Sequence, residues 1–248
     1  MQFVVAANWK MYKSPREAVE YLKGFLPKAE NLPKGRKVIF FAPAIDLWVV
    51  QELLRNTEIG WGAQNCYFSE EGAFTGETSP KVLNEIGAPY TLVGHSERRT
   101  LFNETDEHTS KKVQALHKVG ITPMLCVGET LQEREAGKTE EVIRRQLHIG
   151  LSLRDPAKEV IIAYEPVWAI GTGKVASTAQ AVEAHVVLRD ELRKIGEEQL
   201  ARSPILYGGS VKPDIAPELA AQKEINGFLV GGASLKVDSF LELATVKR

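Results

Sequence analysis

Short apolar runs recur along the whole chain, at residues 3–7, 38–42, 59–63, 91–93, 124–127, 160–164, 205–207 and 228–230. Most are continuously apolar rather than alternating. Strands buried on both faces have this pattern, as in parallel sheets. The segments between them carry helical signals. Ser14, Pro15 and Glu17 make a capping box with proline at the first helical position, so a helix is expected from there toward Leu26. Ser79-Pro80 opens another in the same way. From about Asp106, the residues Thr109, Val113 and Leu116 share a face, and Gly120 suits the position just past the helix end. Ile143, Leu147 and Leu151 form a stripe. Ser177 to Gln180 is a second capping box, with Ala181, Ala184, Leu188, Leu192 and Ile195 behind it and Gly196 at the end. A last helix is expected at about residues 239–246.

Eight strand–helix units in 248 residues match a (β/α)8 barrel of the α/β class, read as one domain spanning residues 1–248. An open doubly wound sheet is the competing arrangement. No linker or low-complexity stretch divides the chain. One segment is long and lacks periodicity, from Gln64 to Thr78. Its Tyr67, Phe68 and Phe74 are too apolar for a freely solvated loop. It reads as a segment buried against a partner subunit, the alternative being that it folds back on its own barrel.

Composition narrows the function. The chain is 44% hydrophobic and 25% charged with a net charge of −1, which argues against nucleic acid as a partner. No apolar run approaches the roughly 18 residues of a membrane helix. The first residues lack the features of a signal peptide. Cys66 and Cys126 are too few for a disulfide framework, and a cytoplasmic, reducing location is expected.

In a barrel, the C-terminal strand ends meet at one mouth. The runs above end in Asn8-Trp9-Lys10, in Gly94-His95-Ser96-Glu97, in Glu165, in Gly208-Gly209-Ser210 and in Gly231-Gly232-Ala233-Ser234. Taken alone, Glu165 reads first as a solvated strand terminus, since charged residues sit mostly on surfaces. The convergence carries more weight. Paired glycines after the last two strands let backbone N–H groups approach an anion, and barrels often bind phosphate there. The plainer reading is two tight turns. Pro166 and the apolar residues from Val167 to Ile170, followed by Gly171 and Gly173, form a flap that could cover Glu165 and would face water if it stayed open. His95 precedes what reads as a first helical turn, which disfavours an imidazolium, so it is expected to act as a neutral donor.

Two patterns are dismissed. Residues 171–176 fit a dinucleotide fingerprint but do not follow their strand directly, and Gly173-Lys174 lacks the Ser/Thr of a P-loop. No His/Cys cluster has metal-ligand spacing, and no metal or cofactor is expected. His108, His117, His148 and His185 fall on helices. A carboxylate, an imidazole, a lysine, a phosphate cradle and a lid suit proton abstraction beside the carbonyl of a small phosphorylated substrate.

Six stretches carry a resemblance along the whole chain: Asn8-Trp9-Lys10-Met11, residues 72–77, residues 93–99, residues 163–173, Tyr207-Gly208-Gly209-Ser210 and residues 230–235. They resemble, in order and spacing, the motifs of the triosephosphate isomerase family. That family is itself the standing example of a Glu base opposite a neutral His under a closing loop. The resemblance implies interconversion of dihydroxyacetone phosphate and glyceraldehyde 3-phosphate in glycolysis and gluconeogenesis. It implies Glu165 as base, His95 as electrophile, and Lys10 and Asn8 as groups that bind substrate and stabilise negative charge. It implies phosphate contacts at Gly171, Ser210, Gly231 and Gly232, a lid over residues 166–176 that also guards against phosphate loss, and a homodimer formed through the Gln64–Thr78 loop. Val175 departs from the family, where Thr is commoner, and bears on hinge kinetics. The rival readings are a lyase or Schiff-base aldolase, with Lys10 as the amine, and a barrel that only binds phosphosugars.

Overall fold

The computed structural model describes residues 2–196 and 198–248. Eight strands run in sequence order: β1 (Phe3–Asn8), β2 (Arg36–Ala42), β3 (Gly60–Ala63), β4 (Tyr90–Val93), β5 (Thr122–Val127), β6 (Ile161–Tyr164), β7 (Ile205–Tyr207) and β8 (Gly227–Val230). Each pairs in parallel with its neighbour, and β8 pairs with β1, so the sheet closes into a barrel. The open doubly wound alternative is thereby excluded. Helices lie between successive strands and cover the outside, as crossover connections between parallel strands require.

Alternation along each strand sorts the core into two shells. Val4, Ala6, Ile39, Phe41, Leu92, Met124, Cys126, Ile161, Ala163, Leu206 and Leu229 fill the barrel interior. Their chain neighbours Val5, Phe40, Leu125, Ile162, Tyr207 and Phe228 face the helices. Both faces are apolar, which is why the runs read as continuous. β3 offers the interior only Gly60 and Gly62; the Tyr90 ring of β4 packs over Gly60, and the Tyr90 carbonyl lies where a Cβ on Gly62 would stand.

The capping signals hold. Ser14 Oγ accepts from Glu17 N–H at the start of the helix Pro15–Ala29, and Ser177 does the same for Gln180 at Thr178–Ile195. Gly120 is left-handed at φ 79, just past the helix Asp106–Lys118. The last helix runs Val237–Ala244, two residues ahead of expectation. Its N-cap, Lys236, gives no side-chain hydrogen bond, so no capping residue marks the start. The helix Leu47–Leu54 was not among the expectations; its N-cap, Asp46, is a favoured residue type there but makes no side-chain hydrogen bond. No helix among the described residues is long and apolar enough to cross a membrane.

Barrel closure depends on Gly227. Its φ is 148, and a Cβ there would stand 1.8 Å from Val4 O across the β1–β8 seam. No side chain could retreat, because the obstacle is backbone. Gly227→Ala is expected to destabilise the fold by about 3 kcal/mol or more, through strain and forced seam opening. Urea unfolding checks this, and a loss below about 1 kcal/mol would show that the seam adapts.

Candidate active site

The interior rows of the strands continue past their ends. Val4, Ala6 and Asn8 lead to Lys10; Ile161 and Ala163 lead to Glu165; Leu206 leads to Gly208 and Ser210; Leu229 leads to Gly231. Period-2 geometry thus directs Asn8 and Glu165 into the mouth, while Lys10 enters it on its own left-handed turn. His95 departs from the count. Val93 faces the helices, so the same count would send His95 outward. Gly94, left-handed at φ 71, breaks the count and turns the chain. His95 then caps the helix Ser96–Leu101.

All eight residues singled out from the sequence line one cavity of about 480 Å3: Asn8, Lys10, His95, Glu165, Gly171, Ser210, Gly231 and Gly232. A second cavity of about 520 Å3 opens at the opposite end of the barrel, beside Lys37, Tyr90 and Arg202, and contains none of them.

Glu165 is 1% exposed. The reading of a solvated strand terminus therefore fails. Its Oε2 accepts the Ser96 N–H at 2.8 Å, and its Oε1 lies 2.9 Å from His95 Nε2. His95 Nδ1 accepts the Glu97 N–H at 3.2 Å, so the ring hydrogen belongs on Nε2. Lys10 is left-handed at φ 52, held by its own N–H donating to Asn8 Oδ1 at 2.9 Å and by Gln64 Nε2 donating to its carbonyl at 2.8 Å. The Lys10 ammonium pairs with Glu97 at 2.6 Å. Sequence reasoning missed Glu97 and the Ser96 N–H as members of the site, although both stand within two residues of His95. The signal was the helix start itself, whose free N–H groups seek acceptors.

Burial pushes the Glu165 carboxyl up, but His95, the Ser96 N–H and Lys10 outweigh it and hold it below its ordinary value. Burial pushes the His95 imidazole down, and the Glu165 carboxylate beside it outweighs that and holds it above its ordinary value. The hydrogen bonds fit the neutral tautomer expected from the helix start. The acidity runs the other way in this arrangement, because Glu165 is a direct neighbour, which no local pattern reveals.

Of the apolar residues of the flap, Trp168 and Ala169 are buried. Trp168 Nε1 donates to Glu129 Oε1 at 2.8 Å, and Ser210 Oγ donates to Ala169 O at 2.7 Å. The root of the flap is therefore held by the barrel. Among the described residues no group of three or more His, Cys, Asp or Glu side chains is arranged to hold a metal ion.

The buried carboxylate–imidazole pair and the two glycine turns stand at the C-terminal strand ends, where (β/α)8 enzymes carry their active sites. The comparisons are specific. The family model for triosephosphate isomerase matches residues 3–247. A triosephosphate isomerase of Bdellovibrio bacteriovorus is 51% identical over 246 residues, covering 99% of this chain and all of that protein. Those of Ligilactobacillus salivarius and Aquifex aeolicus are 46% and 45% identical, each covering 98% of both chains. The chain belongs to the triosephosphate isomerase family.

The pairing of Glu165 with His95 sets a titration test. Glu165→Gln removes the negative charge from beside the ring, so the His95 midpoint is expected to fall relative to the unsubstituted protein. NMR titration of the imidazole reads it directly. An unchanged midpoint would mean the two side chains are not coupled in solution.

Proposed function

We propose that the chain interconverts dihydroxyacetone phosphate and glyceraldehyde 3-phosphate, with Glu165 as the base. The Glu165 carboxylate takes a proton from C1 of the ketose, and the electron pair moves to the C2 oxygen to give an enediolate. A proton shifts between the two oxygens, and Glu165 returns its proton to C2. The atoms balance without any added reagent.

The observation that carries this reading is a carboxylate and an imidazole Nε2 at 2.9 Å lining the same cavity as Gly231, Gly232 and Ser210. A C–H beside a carbonyl is a far weaker acid than a carboxylic acid, and each unit of mismatch is about 1.36 kcal/mol. The site must therefore stabilise the enediolate oxygens. His95 Nε2–H and the Lys10 ammonium are the donors that do so, with Asn8 fixing the Lys10 turn. Gly171, Ser210, Gly231 and Gly232 hold the phosphate. In the resting arrangement Glu165 is stabilised as an anion by Ser96 N–H, which makes it a weak base. Substrate must draw it off that contact, and a lid over residues 166–176 must exclude water for its basicity to rise.

Glu165→Asp withdraws the carboxylate by one methylene. The expected loss is about 100-fold, mainly in kcat, because the phosphate contacts are untouched. Steady-state kinetics on either triose phosphate decides it, and a variant within about twofold of the parent would remove Glu165 from the role of base.

The same reading makes the protein a cytoplasmic homodimer of single-domain subunits, residues 1–248 each, working in glycolysis and gluconeogenesis. Support for the dimer comes from the surface. Phe68 stacks on Tyr67 and Phe74 lies tilted against it, with ring centroids 4.1 and 4.4 Å from that of Tyr67, yet Phe74 stays 41% exposed. Beside Lys10 and His95 a cavity of about 320 Å3 opens, rimmed by Met11 at 95% exposure and Phe102 at 64%. A partner's loop tip entering there would cover apolar surface worth roughly 1.5–3 kcal/mol for each large side chain. Deleting residues 68–75 is expected to give a monomer with greatly reduced activity. Sedimentation and assay together test it, and a fully active monomer would refute the interface.

A further inference from the structure

The chain leaves β1 through two lysines in the left-handed region, Lys10 at φ 52 and Lys13 at φ 75. That conformation is strained for any residue with a Cβ. The contacts of Lys10 explain its own strain. Lys13 is not among the residues that line the cavity, so its strain needs another reason.

The Lys13 ammonium donates to Leu235 O at 3.1 Å. Leu235 is the last residue of the short 3-10 turn Gly232–Leu235 that follows β8. The same ammonium lies 4.5 Å from the Tyr21 ring centroid and 5.4 Å from that of Trp9. Two aromatic faces thus fix the direction of the side chain. Negative charge from Glu17 and from Asp46 acts on it. The carboxylate of Asp46 is fully buried and accepts no hydrogen bond from a described residue; burial and then Glu17 hold it above its ordinary value, and the Lys13 ammonium pulls it the other way. The two turns also touch directly. A Cβ on Gly231 would stand 3.1 Å from Lys10 Cε, so the lysine stem lies along the glycine turn.

We infer that Lys13 is a positioning residue that ties the Lys10 turn to the Gly232–Leu235 turn, holding the lysine ammonium and the glycine backbone at a fixed spacing for the substrate phosphate. This rests on the reading of the cavity as a phosphate site. Two anion-binding elements on different strand ends act together only if their separation is set before the anion arrives. Lys13 sets it through one charge-assisted hydrogen bond, from a side chain whose own turn carries Lys10.

The experiment uses the whole enzyme with inorganic phosphate as the probe. Lys13→Met keeps most of the stem and removes the ammonium. Lys13→Gly removes the backbone strain as well. In both, the phosphate inhibition constant and the KM for triose phosphate are expected to rise about tenfold, the loss of one charged hydrogen bond. The kcat should stay within about threefold, since no reacting atom is touched. Lys13→Arg, which keeps the charge, should recover most of the affinity. A merely structural role would instead move thermal stability and leave phosphate affinity of the folded enzyme alone. The control is Gly232→Val: Gly232 lines the cavity and a Cβ there meets nothing within 4 Å, so the variant is expected to fold and to crowd the phosphate site. Phosphate binding by the parent that Gly232→Val abolishes supports the phosphate-site reading. If the control fails, that reading falls and takes this inference with it. If the control holds and Lys13→Met and Lys13→Gly bind phosphate within about twofold of the parent, only the role of Lys13 is overturned.

Discussion

Closure of eight short parallel strands is the constraint on which the site depends. A closed sheet has no free edge, and its side chains alternate strictly between interior and helix-facing shells. A strand three to seven residues long therefore has little freedom in where its next residue points. Asn8 and Glu165 enter the mouth because they continue the interior rows that begin at Val4 and Ile161. The barrel is in this sense a register device. Its interior is packed with side chains, and the first layer left without apolar filling is the layer of the chemistry.

Placing a carboxylate in that layer is costly. The effective penalty for burying an ion is still several kcal/mol after relaxation, roughly. Glu165 is compensated by one backbone N–H and one imidazole, both delivered by the start of the same helix, Ser96–Leu101. That arrangement depends on Gly94. Without its left-handed turn, His95 would follow Val93 toward the helices, and the Ser96 N–H would not face Glu165. The compensation is also a constraint on function, because an anion stabilised at rest is a poor base. Catalytic strength must come from exchanging those contacts for substrate in a site closed to water.

The sequence revealed the repeating units, their capping boxes and the strand ends, because these are local. Ser14, Ser177 and Gly120 mark helix boundaries through their own backbone chemistry, and the structure keeps all three. The helices Leu47–Leu54 and Val237–Ala244 were hidden or displaced, and neither has a side-chain cap hydrogen bond. Seven of the eight site residues were legible at strand ends and Gly171 as part of the flap, and one cavity brings them together. What stayed hidden is which side chains touch once the strand ends have converged. The Glu165–His95 pair spans seventy positions by number, and the burial of Trp168 needs Glu129; neither leaves a trace in local pattern.

Strand alternation also assigns the lid its anchor. In β6 the interior row is Ile161 and Ala163, and Glu165 extends it; Tyr164, one residue earlier, must face the helices. There its hydroxyl donates to Glu129, at 3.1 and 3.0 Å from the two carboxylate oxygens. Glu129 also accepts from Trp168 Nε1 and pairs with Arg134 at 3.0 Å, and the Arg134 guanidinium lies 4.8 Å from the Trp168 ring centroid. A fully buried carboxylate with three donors is a rigid point. It fixes the first turn of the flap, Val167–Ala169, to the outer shell of the barrel. Freedom to reorient is left to the stretch beyond, where Gly171 and Gly173 are left-handed at φ 69 and 81. Adjacent residues of one strand thus serve two ends. Tyr164 holds the root of the flap on one face while Glu165 presents the carboxylate on the other, so the distance from flap root to carboxylate is set by the pleat of β6. A change that rotated this strand would displace both together, and a change confined to the glycine segment would alter coverage without moving the carboxylate.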